Sequence, residues 1–193
     1  AKGMLKAFKL ADGALIWERS LKPAEISVYS GAIASDSRDI FVTLGSGELV
    51  CIKSSDGSEV WRTRIKSPLR GGATVVDDRV YVVTIDNKTL SFSAKTGQRL
   101  WTHSGAAESA ALIGGGSPSV KSNVVVVSYS SGEVFGLKAE TGRVFWADHL
   151  GADNRLNGVG HIADINGSPV IDRGLVFNIS NSGKLLATEL RTG

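Results

Sequence analysis

Asp12-Gly13-Ala14-Leu15-Ile16-Trp17 returns as Asp56-Gly57-Ser58-Glu59-Val60-Trp61, as Thr96-Gly97-Gln98-Arg99-Leu100-Trp101 and as Thr141-Gly142-Arg143-Val144-Phe145-Trp146. The four tryptophans are 44, 40 and 45 residues apart, each four positions after its glycine, and Thr192-Gly193 opens a fifth copy. A fixed period of this length marks a repeat architecture and has to be read before any single element is assigned. Upstream of each turn lies an alternating segment, such as Glu48-Leu49-Val50-Cys51-Ile52 or Lys184-Leu185-Leu186-Ala187-Thr188. Alternation predicts a strand with one buried face. Before it runs a more apolar strand, as in Ile40–Leu44, Val80–Thr84, Val124–Ser128 and Leu175–Ile179. These runs are rich in β-branched and aromatic residues, as strands buried on both faces are.

Tight-turn residues join the two, at Gly45-Ser46-Gly47, Asp86-Asn87-Lys88, Ser130-Ser131-Gly132 and Asn181-Ser182-Gly183. The first strand of each unit is short and small, as in Ser117-Pro118-Ser119-Val120 and Ser168-Pro169-Val170-Ile171, and is closed by turn pairs such as Asp77-Asp78, Ser122-Asn123 and Arg173-Gly174. Four strands per period with no helical pattern between them predict an all-β fold, a β-propeller of four-stranded antiparallel blades. The small innermost strand faces the central channel. Each tryptophan, on the outermost strand, is expected to wedge between neighbouring blades with its N–H on a backbone acceptor. Gly13, Gly57, Gly97 and Gly142 with Trp17, Trp61, Trp101 and Trp146 are thus read as structural repeat residues.

The count assigns residues 1–22 to the end of one blade, 26–66, 69–106 and 115–150 to complete blades, and 168–193 to the start of another. About four and a half blades in one partial propeller domain predict a piece of a larger ring, with eight blades expected in the intact one. Bare sheet edges at both ends would suit a second copy, so self-association is an expectation to test.

Composition excludes several functions. Lys and Arg number 22 against 19 Asp and Glu, a formal charge of +3 spread along the chain, with no basic stripe for nucleic acid or an anionic membrane. One cysteine, Cys51, allows neither an internal disulfide nor a thiolate metal cluster. The apolar runs are too short to cross a bilayer as helices, and Ala1-Lys2-Gly3-Met4 lacks a signal-peptide pattern, so any targeting segment is expected either to be absent or to lie outside this sequence. His103, His149 and His161 lack HxH or HExxH spacing, and Gly-x-Ser-x-Gly does not occur. The run Gly114-Gly115-Gly116 leads into a strand, so close packing at the channel explains it better than phosphate binding. No catalytic residue, metal ligand or cofactor is assigned.

The repeat resembles that of quinoprotein-type propellers, with units of the form Ser-Pro-Val-Val, an apolar strand, Gly-x-Leu-x-Ala-Leu and Thr-Gly-x-x-x-Trp. Two branches share it: dehydrogenases that hold pyrroloquinoline quinone and calcium, and the BamB family of outer-membrane β-barrel assembly lipoproteins. Asn154-Arg155-Leu156 through Asp164-Ile165-Asn166-Gly167-Ser168-Pro169-Val170 is similar to the second branch's Asp-Arg-Leu…Asp-Val-Asp-x-x-Pro-Val-Val, with Asn166 in place of the second aspartate. Pro68-Leu69-Arg70-Gly71 is similar to its Leu-x-Leu-Arg-Gly. In the family that word sits one blade before the aspartates, where this chain has Leu112-Ile113-Gly114-Gly115, so both Leu69 and Leu112 are candidates.

This resemblance implies a non-catalytic, protein-binding scaffold at the periplasmic face of the bacterial outer membrane. It also implies a lipid anchor upstream and, as partner, the periplasmic domains of the barrel-inserting protein. Leu69, Arg70, Leu112, Arg155, Asp164 and Asn166 are its candidate partner-binding residues: apolar anchors, guanidinium forks and acceptors. The alternative for Asp164 and Asn166 is a turn cap before the inner strand. The alternative for the whole is a fragment of a quinone- and calcium-dependent dehydrogenase.

Overall fold

In the computed structural model, residues 3–21, 31–107, 115–150 and 165–193 are described. Strands β1 (Met4–Phe8) and β2 (Leu15–Ser20) form a two-stranded sheet. Three four-stranded sheets follow: β3 (Ala32–Ser35), β4 (Asp39–Leu44), β5 (Glu48–Lys53) and β6 (Glu59–Arg64); then β7 (Thr74–Val76), β8 (Arg79–Val83), β9 (Lys88–Ser93) and β10 (Arg99–Ser104); then β11 (Ser119–Lys121), β12 (Val124–Ser128), β13 (Glu133–Lys138) and β14 (Val144–His149). A three-stranded sheet, β15 (Val170–Asp172), β16 (Leu175–Ile179) and β17 (Leu185–Glu189), completes the described strands. Every strand pairs antiparallel with the next in its sheet, the meander of a propeller blade.

Turn chemistry sets these hairpins. Asp77 and Asp78, Ser122 and Asn123, and Arg173 and Gly174 all have positive φ, the two-residue turn that matches strand twist. Between β3 and β4 a longer turn is held by Asp36, whose Oδ1 accepts from Arg38 N and Asp39 N, both at 2.7 Å. The innermost strands are shorter than the sequence suggests. Strands β11 and β15 begin after Pro118 and Pro169, since proline has no N–H to donate to a ladder. Adjacent inner strands instead meet through side chains: Thr74 Oγ1 donates to Pro118 O, and Ser119 Oγ donates to Pro169 O.

The core lies in the seams between sheets. Along β12, Val125 and Val127 pack with Tyr81, Val83 and Trp101 of the preceding sheet, while Val124 and Val126 pack with Val176 of the following one. Strand β8 divides in the same way, Val80 and Val82 toward Phe41 and Leu49, Tyr81 and Val83 toward β12. Both faces of the apolar strand are therefore buried, and each fully buried valine contributes about 1.5–3 kcal/mol. Cys51 sits in the first of these seams at 1% exposure, and burial pushes its thiol up to about 12.

Candidate functional site

The repeat residues form one joint used four times. Trp17 Nε1 donates to Ser54 O at 3.0 Å, Trp61 to Ala94 O at 2.8 Å, Trp101 to Ala139 O at 2.9 Å and Trp146 to Leu190 O at 2.8 Å. Each acceptor belongs to the next sheet, just past its third strand. The glycine of that sheet's turn then lies flat on the indole. A Cβ built on Gly57 would stand 2.7 Å from Trp17 Cε3, on Gly97 2.5 Å from Trp61 Cε3, and on Gly142 2.5 Å from Trp101 Cε3. These glycines also have φ of 68–72°, so the turn and the close approach both require glycine. The tryptophans are packing devices.

Function is therefore sought in the segments that do not repeat. Between β6 and β7 the chain crosses the end of the propeller from rim to channel. Leu69 stands opposite Thr84 in an isolated bridge closed by its neighbours, Arg70 N donating to Val83 O at 2.8 Å and Ile85 N to Pro68 O at 3.0 Å. Leu69 is 4% exposed and packs with Phe41, Val82 and Leu90, so it belongs to the core instead of standing in a loop as an apolar anchor. Arg70 is 5% exposed. Its side chain passes over Gly115 and reaches Asn166, where Nη2 donates to Oδ1 at 2.9 Å across 96 positions of sequence. A Cβ on Gly115 would stand 2.3 Å from Arg70 Cγ, and one on Gly71 2.5 Å from Gly115 O. The glycine run thus makes room for a guanidinium bridging from the entry of one sheet to the entry of the next but one.

Ile165, fully buried between the last two sheets, fixes the neighbouring Asn166 at that mouth. Leu112, Arg155 and Asp164 lie outside the described residues. Sequence reading found Arg70 and Asn166 separately but missed their contact. Its one signal was the pair Gly115-Gly116, needed wherever something bulky passes close to the backbone.

A second polar group is buried at the seam between β9–β10 and β13. Tyr129 Oη bonds Thr89 Oγ1 at 2.7 Å and His103 Nδ1 at 2.9 Å, and the His103 ring meets Phe135 edge-on with centroids 4.6 Å apart. Burial pushes His103 down, against the opposing pull of Glu133. Its folded pKa therefore lies below the unfolded value, and the neutral ring contributes stability that is full above about 6.5 and is lost as pH falls through the folded value. An NMR titration is expected to place the His103 ring midpoint below that of an exposed histidine. A midpoint above 6.5 would contradict the packing described.

Among the described residues no three His, Cys, Asp or Glu side chains are placed to bind a metal ion, and Cys51 is a lone thiol inside a strand.

The family model described as outer membrane protein assembly factor BamB matches residues 1–193. An uncharacterized protein of Rickettsia conorii is 28% identical over 98% of this chain and 47% of its own length. The outer membrane protein assembly factor BamB of Yersinia pestis is 22% identical over 100% of this chain and 51% of its own. The chain thus spans about half the length of the curated relatives it matches. Among solved structures, BamB from Moraxella catarrhalis superposes with a TM-score of 0.85 at 20% identity, covering 99% of this chain and 57% of that one, which shows the fold. With a family model matched from end to end over a propeller of tryptophan-latched blades, this chain belongs to the family described as outer membrane protein assembly factor BamB.

Proposed function

We propose that this protein is a non-catalytic scaffold that binds another protein at the channel mouth, in the assembly of outer-membrane β-barrel proteins. The observation that carries it is the Arg70–Asn166 bond. Outside the repeat joints, this bond commits a buried guanidinium to holding Asn166, and Arg155 and Asp164 are the further candidates upstream of it in sequence. A guanidinium at 5% exposure tied to a side chain 96 positions away suits a surface that must hold one shape. Arg70 acts by positioning. The surface offered to the partner is Asn166 with the candidates Leu112, Arg155 and Asp164.

The proposed partner is the periplasmic part of the barrel-inserting protein, and the proposed location is the periplasmic face of the outer membrane, reached through an upstream lipid anchor. The test is capture of that partner from envelope extracts by the full-length protein. Asp164→Ala and Arg155→Ala are each expected to reduce recovery about tenfold with unchanged far-UV circular dichroism, while Lys121→Ala has no effect. Recovery of no envelope protein, or equal recovery by all variants, would sink the reading.

A further inference from the structure

The seams are alike in their tryptophan joints but not in how their ends are plugged. Thirteen residues before each tryptophan of the three four-stranded sheets stand Glu48, Lys88 and Glu133, and fifteen before stand Ser46, Asp86 and Ser131. In two of the three sheets the pair is serine with glutamate. Ser46 Oγ donates to Glu48 Oε2 and Ser131 Oγ to Glu133 Oε2, both at 2.7 Å. The glutamate then ties down its seam. Glu133 Oε2 accepts from Ala106 N of the connecting segment at 2.7 Å. Glu48 Oε1 accepts from Arg62 Nη1 at 2.9 Å, while Arg62 Nη2 reaches Leu21 O of the preceding unit at 2.7 Å.

In the sheet between them the charges are exchanged. Lys88 Nζ donates to Asp86 Oδ2 at 2.6 Å. Burial tends to raise the Asp86 carboxyl, but hydrogen bonds from Lys88, Thr84 and Ser67 outweigh it and hold the group down at about 2. A lysine at this position cannot accept a hydrogen bond from the connecting segment.

This seam holds a groove of about 630 Å³, between β6 with its following segment on one side and β9 and β10 on the other. Buried Ile65, Leu90 and Phe92 line it, with Arg64, Lys66, Lys88 and Arg99 and the single carboxylate of Asp86 exposed around it. A further hollow of about 460 Å³ shares Arg64, Ile65 and Lys66 and extends it toward Ser46 and Pro68. Counted from the tryptophans, the positions of Arg64, Lys66, Lys88 and Arg99 are occupied at the following seam by Ser104, Ala106, Glu133 and Val144. Four cations around one apolar seam are therefore a property of this seam and not of the repeat. Strand β6 is the outer strand of its sheet, so an extended segment can also pair along its edge.

We propose that this groove binds an extended acidic segment of a protein partner, alternating carboxylates with apolar side chains. The partner's carboxylates lie among Arg64, Lys66, Lys88 and Arg99, in the role the chain's own glutamates play at the flanking seams. Its apolar side chains pack on Ile65, Leu90 and Phe92. The inference rests on the reading that this end of the propeller docks protein, but its test does not involve the channel mouth.

The probe is a fluorescein-labelled peptide alternating glutamate with valine, titrated against the full-length protein by anisotropy, beside its lysine–valine counterpart. The acidic peptide is expected to bind and the basic one not to. Lys66→Glu with Arg99→Glu should weaken binding about tenfold or more, and Lys121→Glu with Arg143→Glu, the same change of net charge on another sheet, less than about twofold. Asp86→Ser with Lys88→Glu rebuilds the flanking pattern and should abolish binding while raising the unfolding midpoint, so loss of binding is not loss of fold. Equal weakening by both charge reversals, binding of the basic peptide, or no binding at low salt would overturn the proposal. So would capture of anionic phosphatidylglycerol vesicles, sensitive to Lys66 and Arg99, without capture of the peptide.

Discussion

Alanine at Gly97 is expected to destabilise the protein by about 3 kcal/mol or more, whereas alanine at Gly174 costs only about 1 kcal/mol. Both glycines have positive φ, 68° and 81°, so the backbone strain on adding a Cβ is similar. They differ in what the new methyl meets. At Gly174 nothing lies within 4 Å, and the matching turn positions carry side chains, Asp78 and Asn123. At Gly97 the methyl would stand 2.5 Å from Trp61 Cε3 and 2.7 Å from Cδ2, against a rigid ring already held by its bond to Ala94 O. The indole cannot retreat without giving up that bond and its tilted contact with Phe41. Chemical denaturation of the two variants reads the difference directly. Equal midpoints would mean that the glycine is kept for its turn alone.

Replacing Arg70 by methionine is expected to cost about 1–3 kcal/mol. Methionine matches much of the volume but leaves Asn166 Oδ1 without its donor at a site where Arg70 is 5% exposed. The same reasoning orders the changes at residue 166. Asn166→Leu should lose about 1–3 kcal/mol, since it leaves the guanidinium without that acceptor. Asn166→Asp should be tolerated at neutral pH, because a carboxylate accepts the same bond with a full charge. Thermal unfolding of the three variants checks the order. A tolerated Arg70→Met would remove the bridge as a structural feature and leave Arg70 as a bystander.

Much of the fold was legible because the repeat writes each element several times. Alternation located β5, β9, β13 and β17, and the turn pairs located the first hairpin of three sheets. The tryptophans announced their seams because so large a side chain on an outer strand needs a neighbouring blade to cover it. What could not be read was any contact between unlike repeats. Arg70 and Asn166 are 96 positions apart and obey no period, so only the packing of successive sheets around the channel brings them together. Leu69 read as an apolar anchor for a partner, yet its bridge to Thr84 turns it into the core. The exchanged pair Asp86 and Lys88 was visible in the sequence as turn residues. Its meaning came only after the flanking seams showed a glutamate in the same place.

The glycine of one repeat and the tryptophan of the preceding one act as a single joint. A double-mutant cycle between Trp61→Ala and Gly97→Ala tests it most directly. Each change alone should cost about 3 kcal/mol or more, but with the indole already removed the penalty at Gly97 should fall to about 1 kcal/mol, a coupling of about 2 kcal/mol. Penalties that simply add, within about 0.5 kcal/mol, would contradict the joint and with it the structural assignment of the repeat.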